Sequence, residues 1–175
     1  TLFPYTTLFR SSQTARRLGA DLCNLGVGGS AFCEPELADH IAKREDWDFA
    51  TLSLSVNMVG GFSVEEFRDR VSYMINKVGG DSSRPVFCIT IFPHFRDLKS
   101  KEVNNPELVE KTKAFRKILR EEVEESGKSN LHLIEGPDLL KDFGGLSIDL
   151  IHPADNGMIQ MGEKLAWKMS EIMSD

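Results

Sequence analysis

The chain has 175 residues, 41% of them hydrophobic and 27% charged, with a formal net charge of -6 at pH 7. That length suits one α/β domain with a full core, and the acidic balance argues against a general affinity for nucleic acid or anionic membranes. No apolar run reaches the roughly 18 residues that a membrane-spanning helix needs.

Thr1 to Ser11 lacks an initiator Met, a basic start and the continuous apolar centre of a secretory signal. The stretch is similar to an in-frame translation of a sequencing-library adapter. On that reading residues 1–11 are a non-native segment and residues 12–175 a single domain; the other reading is an ordinary apolar edge strand. Any targeting signal would then lie outside the chain, so no compartment is assigned, with cytoplasmic favoured.

Thr14 to Leu18 reads as the end of a helix stopped by Gly19. A strand is expected over Asp21 to Leu25, running into Gly26-Val27-Gly28-Gly29-Ser30, a turn whose glycines suit a sharp bend or a close backbone approach. Glu36 to Arg44 has helical spacing, and Asp48 to Val56 reads as a strand that ends at Asn57. Ser63 to Val78 is the clearest helix, with Ser63 and Glu66 set for a capping box and Val64, Phe67, Val71, Met74 and Val78 on one face. Pro85 to Phe92 is almost continuously apolar, as in a central parallel strand covered on both faces. Pro106 to Ser126 reads as a long helix with a charged outer face, Leu131 to Ile134 as a short strand, and Ala154 to Met173 as a last helix with a stripe of methionines. Strands alternating with helices predict an α/β fold with a parallel sheet sandwiched between helices.

Cys23, Cys33 and Cys88 cannot all pair internally and form no Cys-x-x-Cys, so buried thiols are expected. No His/Cys/carboxylate cluster suggests a metal, and no cofactor is expected. His40 and His132 read as structural.

Ligands of an open parallel sheet bind beyond the carboxyl ends of its strands. The Gly26 to Ser30 turn, Asn57 and the loop Asp149-Leu150-Ile151-His152-Pro153 all fall there. A carboxylate three residues before a histidine can bond one ring nitrogen and set the other as a base. Backbone N–H groups of a glycine turn and a side-chain amide are the donors that a developing oxyanion needs, so acyl transfer to water is the expected chemistry. His94 and Arg96, in Phe92-Pro93-His94-Phe95-Arg96-Asp97, follow a strand at the same edge and are read either as substrate-binding residues or as part of a structural loop.

These residues resemble the SGNH (GDSL-like) hydrolases, serine esterases with a flavodoxin-like three-layer sandwich. The resemblance runs from Gln13 onward. Asn24-Leu25-Gly26-Val27-Gly28-Gly29-Ser30 is similar to the family's second block, which makes Gly29 an oxyanion-hole glycine; Asn57 stands for the third block, and Asp149, His152 and Pro153 for the fifth. The third block departs from the usual pattern, reading Ser55-Val56-Asn57-Met58. The first block, a strand ending in the nucleophilic Ser, has no counterpart. Ser11 and Ser12 lack the preceding strand, and Ser30 is better placed to cap or contact backbone. The resemblance implies that His152, Asp149, Asn57 and Gly29 are catalytic and that the substrate is a small-molecule or carbohydrate acyl ester, with no nucleic acid or membrane partner. For want of the serine, the chain itself is expected to be inactive. It also implies that the central first strand is missing or replaced, and residues 1–9 are expected to fill its slot. The alternative function is a flavodoxin-like module that binds phosphate or a nucleotide on the Gly26 to Ser30 turn.

Overall fold

β1 (Ala50–Ser53), β2 (Val86–Ile89) and β3 (Leu131–Ile134) form a parallel sheet in the order β1-β2-β3, in a computed structural model that describes residues 4–54, 56–98 and 105–174. Val86 stands in register with Ala50 on one side and Leu131 on the other. All four residues of β2 are buried, which is why this segment reads as an unbroken apolar run: both faces of a central strand are covered.

The sheet and three helices, α2 (Pro35–Ala42), α3 (Val64–Val78) and α4 (Pro106–Glu125), make up one compact unit, Ala31–Ile91 with Asn105–Glu135. Val86 and Cys88 share a core with Phe67, Val71 and Met74 of α3 and Phe115, Ile118 and Leu119 of α4. The rings of Phe67 and Phe115 stack at 3.9 Å, both fully buried, so truncating either to Ala would cost about 3–5 kcal/mol. The predicted capping box of α3 is formed. Ser63 Oγ accepts from the Glu66 N–H at 3.1 Å, and a Glu66 carboxylate oxygen accepts from the Ser63 N–H at 2.8 Å. β1 and β2 are shorter than the apolar runs that announced them.

The other unit comprises Thr1–Ser30, Phe92–Asn104 and Gly136–Asp175. It holds α1 (Pro4–Leu18), the single turn α5 (Gly136–Leu139) and α6 (Asp155–Ser174). α1 lies along α6: Thr14 Oγ1 reaches the Gly162 carbonyl at 3.3 Å, and Arg17 pairs with Glu163 at 2.6 Å. Met158, Met161 and Met169 are buried, as a methionine-filled core predicts.

Three expectations are corrected here. Residues 4–9 are helical and do not fill a strand position; residues 1–3 lie outside the described residues. Pro4 suits a first helical turn, and extending a helix already formed over Arg10 to Leu18 adds a hydrogen bond per residue without a new nucleus, which outweighs the modest strand preference of Thr and Phe. Asp21 to Leu25 is exposed and irregular rather than a strand. Its neighbourhood makes only local bonds, such as Gly26 N–H to Asn24 Oδ1 at 2.9 Å, and backbone without a ladder partner stays solvated. Cys23, inside that stretch, is exposed. Cys33 and Cys88 are buried as expected, and burial, with lesser charge effects at Cys33, pushes both thiols up to about 12.

Candidate active site

The loop ahead of α6 closes on itself. Leu146 and Pro153 pair in an antiparallel bridge, the Ser147 N–H donates to the His152 carbonyl at 2.7 Å, and the Leu150 N–H donates to the Ser147 carbonyl at 3.0 Å. Inside this frame both carboxylate oxygens of Asp149 are engaged. Its Oδ1 accepts from the Ser147 hydroxyl at 2.8 Å and from the Ile151 and His152 N–H groups at 2.9 Å, while Oδ2 lies 2.7 Å from His152 Nδ1. Partial burial pushes the Asp149 carboxyl up, but the His152 ring, the two backbone donors and the Ser147 hydroxyl outweigh it and hold the group well below the usual carboxylate range. An ionised carboxylate at Nδ1 places the ring proton there, so Nε2 carries the lone pair that a general base uses. The two side chains remain 34% and 38% exposed, within reach of a substrate.

The far end of the loop is set by a close approach of backbone. The Ala154 N–H donates to the Gly145 carbonyl at 2.9 Å, and a Cβ on Gly157 would stand 2.0 Å from that same oxygen. Only glycine lets the first turn of α6 sit against the Phe143–Gly145 turn. Leu150 has φ +54°, a conformation that costs a side-chain-bearing residue about 1–2 kcal/mol. It is held from both sides: its N–H bonds Ser147, and its carbonyl accepts from the Phe95 N–H at 2.7 Å.

That second bond joins the loop to the short 3-10 turn Phe95–Asp97. His94, fully buried, has its Nδ1 at 3.2 Å from Asp97 Oδ2 and its Nε2 at 3.3 Å from Arg96 Nη1. A guanidinium can only donate, so Nε2 accepts and Nδ1 carries the proton offered to Asp97. The Arg96 guanidinium lies 4.7 Å above the Phe95 ring, and burial lowers its proton affinity.

The structure thus brings Asp149 to His152 and Arg96 to His94, and bonds the two loops together. Gly29 sits in an exposed turn of the same unit with φ +76°, its neighbour Ser30 donating from N–H to the Val27 carbonyl at 3.3 Å. Asn57 is half-buried in the turn that follows β1, in the sheet unit, ahead of the buried Met58 and Val59. The Gly26 to Ser30 turn opens onto no helix N-terminus, because α2 starts only at Pro35, which has no N–H to offer a phosphate. Among the described residues no group of three His, Cys, Asp or Glu could hold a metal ion, and no helix is long and apolar enough to cross a membrane. Ser147, Leu150 and Asp97 were not singled out from the sequence. Ser147 and Asp97 carry a signal in retrospect, a polar group two or three residues from the side chain it orients, whereas nothing in the sequence marks a leucine at positive φ.

The GDSL-like lipase/acylhydrolase family model matches residues 7–170. No curated protein sequence is significantly similar to the chain. Among solved structures, a Bacteroides ovatus protein described as a GDSL-like lipase superposes with a TM-score of 0.75 at 22% identity, over 94% of this chain and 47% of that one. A salicylyl-acyltransferase from a tetracycline biosynthetic pathway gives 0.71 at 16% identity, over 94% and 49%. A carbohydrate acetylesterase from Sinorhizobium meliloti gives 0.72 at 16% identity, over 98% and 89%. The chain spans about half the length of the first two. At these identities the structural likeness is one of fold. The α/β architecture with a small parallel sheet, the Asp-x-x-His-Pro loop and the extent of the sequence match together place the chain in the GDSL-like lipase/acylhydrolase family.

Proposed function

We propose that the site serves ester hydrolysis by the serine esterase route, with acyl esters of carbohydrates as the substrate class. His152 is the general base and acid, Asp149 orients it and stabilises its cation, Gly29 N–H and the Asn57 amide stabilise the oxyanion, and Arg96 contacts the substrate. His94, expected to do the same, is fully buried with both ring nitrogens engaged and holds Arg96 instead. The observation that carries this reading is the 2.7 Å contact between Asp149 Oδ2 and His152 Nδ1, with three further donors fixing Oδ1. A serine hydroxyl attacks the ester carbonyl as His152 Nε2 takes its proton; the ester C–O bond breaks and the departing alkoxide takes that proton back. Water then attacks the acyl-enzyme by the same exchange, releasing the acid and restoring the serine. Carbohydrate esters are supported by the fold shared with the Sinorhizobium meliloti acetylesterase.

The sequence has no Gly-Thr-Ser, and its Gly-Asp-Ser, Gly80-Asp81-Ser82, lies in the turn between α3 and β2, after a helix rather than at the end of a strand, so on this reading the nucleophile must be supplied and the chain alone turns over poorly. Hydrolysis of 4-nitrophenyl acetate by the chain, and by a form with a strand ending in Gly-Thr-Ser placed ahead of Gln13, tests both points. Turnover that a serine-directed inhibitor blocks is expected only from the second form. Inhibitor-sensitive turnover by the chain as it stands would overturn its inactivity, and a restored form that stays inert while folded would overturn the esterase reading.

A further inference from the structure

We propose that Arg96 binds a carboxylate on the substrate, so that the esters this site prefers are anionic. The inference rests on the esterase reading and adds to it a substrate charge. Among the described residues Arg96 is a cation built into place without a counter-ion. Its Nη1 is held by His94 Nε2 at 3.3 Å, its plane rests on Phe95, and its Nε is buried with no hydrogen-bond partner. Several other arginines of the chain have carboxylate partners: Arg68 has Glu121 and Glu122, Arg84 has Asp81, and Arg120 has Glu135. No carboxylate pairs with Arg96 among the described residues. Its chain neighbour Asp97 turns its Oδ2 to the backbone N–H of His94 at 3.0 Å and to the His94 ring instead.

The buried His94 ring therefore stands between Asp97 and Arg96: it fixes the guanidinium without supplying it a counter-charge. Withdrawing a guanidinium from water is costly unless an anion answers it, and the planar fork of arginine matches a carboxylate with two parallel hydrogen bonds. The position suits a substrate contact. Phe95, the residue before Arg96, is bonded through its N–H to Leu150, which lies between Asp149 and His152. The carboxylate can sit on the acyl part of the ester or on its alcohol part.

Binding to amide analogues that the esterase route does not consume tests this on the chain as it exists. N-methylsuccinamate carries the charge on the acyl side and N-acetylalanine on the other side; the carboxamide of each is its uncharged control. Titration calorimetry should show at least one of the two anions binding about tenfold or more tightly than its neutral control, the size expected of a charge-assisted contact. The anion that shows the preference identifies the side. Arg96→Gln should bring the pair within about twofold, and Arg96→Lys, which keeps the charge and loses the fork, should reduce the preference by roughly threefold or more. Equal binding of anion and control, no binding of either, or a preference that survives Arg96→Gln overturns the assignment; if Arg96→Gln fails to fold, an unchanged preference in Arg96→Lys does so. Because the readout does not involve turnover, loss of the charge preference in a protein whose restored form hydrolyses esters counts against Arg96 alone. A retained preference with no His152-dependent turnover counts against the esterase reading alone.

Discussion

The Phe95 N–H donates to the Leu150 carbonyl at 2.7 Å, and so the turn bearing His94 and Arg96 is fastened to the loop bearing Asp149 and His152. The bond acts where the loop is strained. Leu150, at φ +54°, is kept in place by this contact and by its own N–H bond to Ser147, and its conformation turns the next two residues so that the Ile151 and His152 N–H groups both meet Asp149 Oδ1.

Removing only the donor should loosen the loop. His94 is extended, with φ -151° and ψ -178°, which a following proline accepts, and Phe95 opens the 3-10 turn, where the ring of proline fits. Phe95→Pro therefore deletes the N–H without forcing the backbone, and Phe95→Ala controls for the lost ring. Chemical denaturation should find Phe95→Pro less stable than Phe95→Ala by about 1–3 kcal/mol, the cost of leaving the Leu150 carbonyl unpaired. Equal stabilities would show that the bond contributes nothing.

Asp149→Asn should abolish catalysis while sparing the fold. The amide oxygen can still accept from the Ile151 and His152 N–H groups, but the amide nitrogen then faces His152 Nδ1 and donates to it. The ring proton is driven to Nε2, the nitrogen that must act as base. In the form with the serine restored, kcat should fall about a thousandfold or more with KM little changed, on the pattern of other serine triads. A loss of only a few-fold would remove Asp149 from the mechanism.

How far the sequence spoke depended on whether a feature was local. The capping box of α3 needs only Ser63 and Glu66, and the Asp149–His152 contact needs only their spacing; both were legible and both formed. β2 announced itself because a strand covered on two faces has no polar side to interrupt it. Residues 4–9 and Asp21 to Leu25 were misread because strand preference counts only where a neighbouring strand offers a ladder; one stretch was drawn into a helix and the other left in solvent. Asn57 lies in the turn after β1, as expected, whereas the turn that holds Gly29 follows no strand, because Asp21 to Leu25 has no ladder partner.

Gly157→Ala should destabilise although alanine favours helices. The usual gain inside a helix is about 1 kcal/mol, but the new Cβ would lie 2.0 Å from the Gly145 oxygen and 2.8 Å from its carbon, backbone atoms that cannot rotate aside. Overpacking dominates, and a net loss of about 1–3 kcal/mol is expected, or roughly 2–10 °C in the melting temperature of a chain this size. Gly60→Ala, with nothing within 4 Å and no positive φ, is the control and should change little. A Gly157→Ala protein as stable as the parent would mean that the Gly145 turn yields freely, and the loop that holds the dyad would lose one of its two anchors.

The acid limb of the stability curve should carry the signature of Asp149. Its carboxyl is held well below the ordinary value of about 3.9 in the folded protein, so below roughly pH 5 the unfolded chain binds the proton first. A depressed carboxyl contributes stability that is fully present above the unfolded value and drains away as pH falls through the folded one. With its side chain 34% exposed, solvent screening limits the contribution to the order of 1 kcal/mol. Asp39, Asp46, Glu66, Asp81, Glu121 and Glu163 are also held low by hydrogen bonds and basic neighbours, and they add to the acid sensitivity of the whole protein. Those groups are unchanged in Asp149→Asn, so the difference between parent and variant isolates the one carboxylate. Melting temperatures measured from pH 7 to pH 2 should show a constant difference above about pH 5 that shrinks steadily below about pH 4. A difference independent of pH would mean that the donors around Asp149 bind its neutral and charged forms alike, and the carboxylate would then have no preference to pass on to the imidazolium of His152.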